Sequence, residues 1–209
     1  VRRHAVRLSE PFLQQSDVKI TAAVLDRADD ADPQVQLQVA YSLGFSDSPA
    51  AGEALGRLAI QHGRDSRFLT AILSSIEKQS AVPALRAVLN AEGDVKPPSQ
   101  LVARFLGQVA AFGEIGAVTA ELSRVFKSLE KDATADQVRG LIVVMKEGRR
   151  SQRTWERIWR DDLAERCARF GESRLAVARD AEAGLADRLA ALEFLAVTPT
   201  PLPGLANTL

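Results

Sequence analysis

Residues 35–43 read Val-Gln-Leu-Gln-Val-Ala-Tyr-Ser-Leu, and four other stretches of the chain share this pattern of apolar residues. The five stretches begin at Val1, Val35, Phe68, Leu101 and Val138, so each starts 33 to 37 residues after the one before it. A period of this length is typical of proteins built from stacked helix pairs.

The first, fifth and sixth positions of every stretch are apolar, which places them on one face of a helix. These residues are Val1, Ala5, Val6; Val35, Val39, Ala40; Phe68, Ile72, Leu73; Leu101, Phe105, Leu106; and Val138, Ile142, Val143. The ninth position continues the apolar stripe in the three central stretches, whereas Ser9 and Lys146 interrupt it in the first and the last.

A second set of apolar stripes lies between these stretches, for example Ala54, Leu55, Leu58 and Ala59. Asp32-Pro33 and Asp65 are typical helix starts, and Thr134 to Gln137 has the spacing of a capping box. These patterns predict an all-α fold, an α-α superhelix or solenoid of about five to six helix pairs. The alternative is a globular helical bundle whose helices happen to be evenly spaced.

The repeats resemble HEAT repeats, and two lines are more particular: Val1 to Leu8, and Asp32 to Gly44, where an Asp-Pro-x-Val start runs into Ser-Leu-Gly. Together they resemble the HEAT segment of large exported bacterial proteins, which carry a dehydrogenase-like β-propeller before it and a c-type haem domain after it. The likeness covers about the first 80 residues, and only the general HEAT spacing extends beyond Ala81. The resemblance implies an exported or periplasmic protein whose redox chemistry lies outside these residues.

We therefore expect one HEAT-like repeat domain over residues 1–209, a fragment of a larger protein, with an irregular insertion near 147–175. The interval from Val138 to Leu185 exceeds the period by roughly ten residues, and insertions in helical repeats often form the binding face. Leu185, Leu189, Leu192 and Leu195 then continue in helical register as a last repeat-like helix. We also expect apolar surface to be exposed at the two ends.

The region around the insertion carries both tryptophans of the chain among clustered arginines. The candidate partner-binding residues are Arg149, Arg150, Arg153, Trp155, Arg157, Trp159 and Arg160. Arginine beside tryptophan is a composition favoured at interaction hot spots. The other interpretation is that the Trp pair, spaced i, i+4, seals the core while the arginines face water.

Residues with catalytic or ligand-binding chemistry are scarce. The single cysteine, Cys167, falls on an apolar stripe and is predicted to be a small buried hydrophobe. His4 is predicted to be solvated or capping, and His62-Gly63 is typical of a helix C-terminus. The sequence thus predicts no catalytic residues, no metal site, no cofactor and, without Cys-x-x-Cys-His, no haem attachment.

These observations favour a non-catalytic scaffold or protein-interaction module, whose partner is a companion domain or another chain. The outward residues are mixed: Arg2, Arg3 and Arg7, then Gln36 and Gln38, then Ser74 and Ser75. The 27 basic and 27 acidic residues cancel, which argues against nucleic acid as the partner. No apolar run approaches the roughly 20 residues that span a bilayer.

Two alternatives stay open. A nucleic-acid-binding HEAT protein, similar to a DNA glycosylase, would use the Arg/Trp segment and needs a continuous basic stripe. A HEAT-type lyase or cofactor-handling domain needs a deep pocket with convergent polar groups.

Overall fold

A computed structural model describes residues 1–90, 99–130, 133–148, 156, 158–159 and 162–198. The chain divides into two compact units, residues 1–113 and residues 114–209. All regular structure in the described ranges is helical, which confirms the all-α prediction. No helix within those ranges is both long and apolar enough to cross a membrane. The single repeat domain over residues 1–209, with its insertion near 147–175, stays a prediction.

The first unit is a succession of helices joined by short turns. They are α1 (Arg2–Leu8), α2 (Glu10–Gln14), α3 (Val18–Leu25), α4 (Pro33–Ser42), α5 (Pro49–His62), α6 (Ser66–Ser74), α7 (Lys78–Leu89) and α8 (Ser99–Ala111). Short 3₁₀ turns at Asp26–Asp29 and Leu43–Phe45 follow α3 and α4. Helix α4 packs beside both α1 and α6, while α5 packs beside α7 and contacts α3. Two sets of helices therefore alternate along the chain, as a repeat of helix pairs requires.

The helix starts predicted from the sequence are confirmed. The Asp32 carboxylate accepts a hydrogen bond from the backbone N–H of Gln34 at 2.9 Å, with Pro33 in the first turn of α4. Asp65 does the same for Arg67 at 2.8 Å where α6 begins. Each cap satisfies a backbone donor that has no partner inside its helix.

One polar side chain per repeat reaches back to the preceding repeat. Ser42 Oγ donates to Glu10 Oε1 at 2.8 Å, Ser75 Oγ to the Tyr41 carbonyl at 3.2 Å, and Gln108 Nε2 to the Leu73 carbonyl at 3.1 Å. All three donors occupy the eighth position of their stretch. The same register position thus connects successive repeats throughout the first unit.

The closest helix contact in the first unit joins α5 to α7 through two glycines. A Cβ atom placed on Gly52 would lie 2.2 Å from the carbonyl oxygen of Ser80, and one on Gly56 would lie 2.6 Å from that of Ala84. Only glycine allows the two backbones to approach this closely. Leu55, Leu58 and Leu85 are fully buried beside this contact.

The second unit contains the helices α9 (Ile115–Leu129), α10 (Ala135–Gly148), α11 (Asp162–Arg179) and α12 (Leu185–Val197) among its described residues. Helix α12 packs against α10 and α11, and α11 packs against α9. The predicted capping box forms at the start of α10, where the Thr134 N–H donates to Gln137 Oε1 at 2.9 Å. Cys167 is buried on α11, as predicted.

The buried faces of the first and last helices differ from the sequence patterns. Of the three apolar residues that define the first stretch, only Val6 is buried, whereas Val1 and Ala5 are exposed. In α12 the expected helix forms, but Leu185, Leu189 and Leu192 are exposed. Its inward side is formed instead by Ala190, Ala191, Phe194 and Leu195. When a helix carries apolar residues on more than one face, the face that becomes buried depends on the helices that pack against it.

Two polar residues expected to face outward are buried. Gln36 is 5% exposed and Ser75 is 5% exposed, because each bonds to a group in a neighbouring element. Ser9, which interrupts the first stripe, is also at the buried face, and its hydroxyl donates to the Val6 carbonyl at 2.6 Å. Hydrogen bonding offsets the cost of burying these polar groups.

We predict that Gly52→Ala lowers the free energy of unfolding by about 2–3 kcal/mol, because the added methyl group overlaps a backbone carbonyl that cannot rotate away. Gly107→Ala is the matched control. Gly107 lies inside α8, and beyond its own turn of the helix no atom of the described residues lies within 4 Å of the new Cβ, so alanine should raise stability by up to about 1 kcal/mol. Denaturant unfolding followed by circular dichroism measures both, and equal midpoints for the two variants would contradict the close α5–α7 contact.

Candidate partner-binding surfaces

Of the seven residues predicted to bind a partner, only Trp159 falls within the described part of the chain. Arg149, Arg150, Arg153, Trp155, Arg157 and Arg160 lie outside it. Trp159 is half-buried, and its ring meets that of Phe126 edge-on with the centroids 6.2 Å apart. Partner binding by this segment stays a prediction.

Trp159 extends a chain of edge-on aromatic contacts through the second unit. Phe126 lies 5.7 Å from Phe170, and Phe170 lies 5.0 Å from Phe194, measured between ring centroids. The three phenylalanines are fully buried on α9, α11 and α12. Such edge-to-face pairs contribute beyond the area that they bury. This geometry packs Trp159 against the core of the second unit. Because Trp155 lies outside the described residues, the interpretation of the Trp pair as a core seal stays a prediction.

Arg174 is a buried cation next to this aromatic chain. It is 5% exposed, and its guanidinium carbon lies 4.9 Å from the centre of the Phe170 ring. Nη2 donates to Ser173 Oγ at 3.0 Å, and Nη1 makes a longer contact of 3.4 Å with the Ala133 carbonyl. Burial lowers the pKa of Arg174, and the nearby carboxylate of Asp187 opposes that shift. Arg174 therefore connects α11 to the start of α10 and does not face solvent.

An open groove of about 610 Å³ lies at the N-terminal end of the first unit. We call it the N-terminal groove; it is lined by His4, Arg7, Leu8, Glu10, Pro11, Gln14 and Phe45. Leu8 is 74% exposed and Phe45 is 41% exposed, so large apolar surfaces face water here. Exposed Arg7 and His4, together with Glu10, place polar and charged side chains beside them.

The register position of Leu8 in the repeat relates it to residues of the later stretches. It occupies the eighth position of the first stretch, the position from which Ser42, Ser75 and Gln108 contact the preceding repeat. In the first stretch the same position is apolar and exposed. The position that carries a hydrogen-bond donor in the next three stretches thus adds apolar surface to the N-terminal groove.

An ion pair and a hydrogen bond fix the two helices, α1 and α2, that form the groove. Arg2 makes a two-pronged ion pair with Asp30, with Nε to Oδ2 at 2.9 Å and Nη2 to Oδ1 at 3.0 Å, which holds α1 to the turn before α4. The backbone N–H of Asp32 and the Arg2 guanidinium both lower the pKa of Asp30. Glu10 accepts from Ser42, as described above. The helices that carry most of the lining residues are thus tied to the rest of the first unit.

A second open groove follows α5 and α7 in the first unit. Its lining residues are Pro49, Glu53, Arg57, Ile60, Pro83, Arg86, Ala87 and Asn90. Glu53 and Arg57 supply opposite charges, and Glu53, Arg57 and Arg86 are all exposed. This surface is more polar than the N-terminal groove, although the two expose similar amounts of apolar surface.

His62 ends α5, as predicted, and joins three helices. Its ring stacks on Phe68 of α6 with the centroids 3.9 Å apart, and its Nε2–H donates to Gln36 Oε1 of α4 at 2.6 Å. Burial lowers the pKa of His62, with Asp65 acting in the opposite direction. Burial therefore favours the neutral imidazole.

The chain's titratable groups do not converge as a metal centre would require: within the described ranges, no three His, Cys, Asp or Glu side chains are grouped to hold an ion. No protein-family model matches the chain, and neither a curated protein nor a solved structure matches it significantly. The predicted absence of catalytic, cofactor and metal sites stays a prediction. So does the resemblance to the exported HEAT proteins.

Replacing Trp159 by alanine tests its place in the core. We expect Trp159→Ala to lower the free energy of unfolding by about 2 kcal/mol, less than a fully buried aromatic would cost, since the ring is half-buried. Leu192→Ala, at a side chain 54% exposed, should change stability by no more than about 0.5 kcal/mol. Calorimetric melting compares them, and an unchanged midpoint for Trp159→Ala would favour a pure surface role.

The lowered pKa of His62 predicts a pH dependence. The unfolded chain, with a histidine pKa of about 6.5, binds the proton before the folded chain does. Stability is therefore fully present above that pH and falls as the pH drops from there through the lower folded pKa. In His62→Gln this dependence should be weaker, whereas His4→Gln keeps it because His62 remains. A constant difference in melting midpoint between wild type and His62→Gln from neutral to mildly acidic pH would rule out the effect.

Proposed function

We propose that this chain is a non-catalytic helical-repeat module that binds a protein partner through the N-terminal groove. The observation that carries the proposal is the exposure of Leu8 and Phe45 beside Arg7 on a fixed helical base. Phenylalanine and arginine are both enriched at protein interfaces, so Phe45 and Arg7 fit an interface, and exposed Leu8 adds apolar surface beside them.

The form of the groove also supports a macromolecular partner. It is open to solvent, and its lining combines apolar Leu8, Pro11 and Phe45 with polar or charged His4, Arg7, Glu10 and Gln14. A small-molecule site is usually more enclosed and buries most of its ligand. An amphipathic helix, with apolar residues flanked by charged ones, matches this lining better.

We further propose that the repeats are of the HEAT type and that the module acts as a scaffold within a larger bacterial protein. The period of 33 to 37 residues and the recurring contact at the eighth position support this. Repeat proteins present extended surfaces built by successive units, which suits docking of companion domains or of another chain.

Site-specific photocrosslinking in the cells that make the protein tests the proposal. A photoreactive phenylalanine analogue at position 8 should crosslink to a discrete protein, identified by mass spectrometry, and Arg7→Glu in the same chain should reduce the yield severalfold. The same analogue at Thr70, exposed on α6 away from the groove, is the control. The proposal fails if position 8 gives no adduct, or only those seen from position 70, in a chain whose circular dichroism is unchanged.

A further inference from the structure

We draw no further inference here: the strongest candidate, the open groove along α5 and α7 that is lined by Glu53, Arg57 and Arg86, carries charges of both signs, and nothing in the structure shows what covers it.

Discussion

The close approach of α5 and α7 is the contact on which the first unit depends. Neither Gly52 nor Gly56 has a side chain, and the space that a Cβ would take is filled by the carbonyls of Ser80 and Ala84 and by the Ala87 methyl group of α7. Such an approach fixes the distance between two successive repeats, because protein interiors are packed too densely to absorb an extra methyl group. The fully buried leucines beside the glycines then fill the remaining space.

Hydrogen bonds between polar groups define the register of each repeat against the preceding one. A hydrogen bond has a narrower range of acceptable geometry than an apolar contact, so Ser42, Ser75 and Gln108 define where each repeat sits against the one before it. In the second unit the corresponding constraint is aromatic: Phe126, Phe170 and Phe194 interlock edge-on, and Trp159 continues the series. The two units thus use different side chains to specify their packing.

The surface that we assign to binding is set by side-chain exposure. Leu8 and Phe45 turn apolar side chains toward solvent, while Val6, two residues before Leu8, is buried. Arg7 and Glu10 line the same groove, so it carries both signs of charge. Function is therefore proposed at this open groove instead of in an enclosed pocket.

The sequence alone determined where the helices lie and how several begin. Spacing of i, i+4 and cap residues such as Asp32 and Asp65 act within one turn of the chain, so local pattern is enough to predict them. Burial depends on residues distant in sequence, and only the tertiary structure decided it. It turned Leu185, Leu189 and Leu192 outward, buried Gln36 against His62, and brought Phe45 beside Leu8. The apolar periodicity of one helix does not show which of its faces is buried, because that depends on the residues of the helix that packs against it.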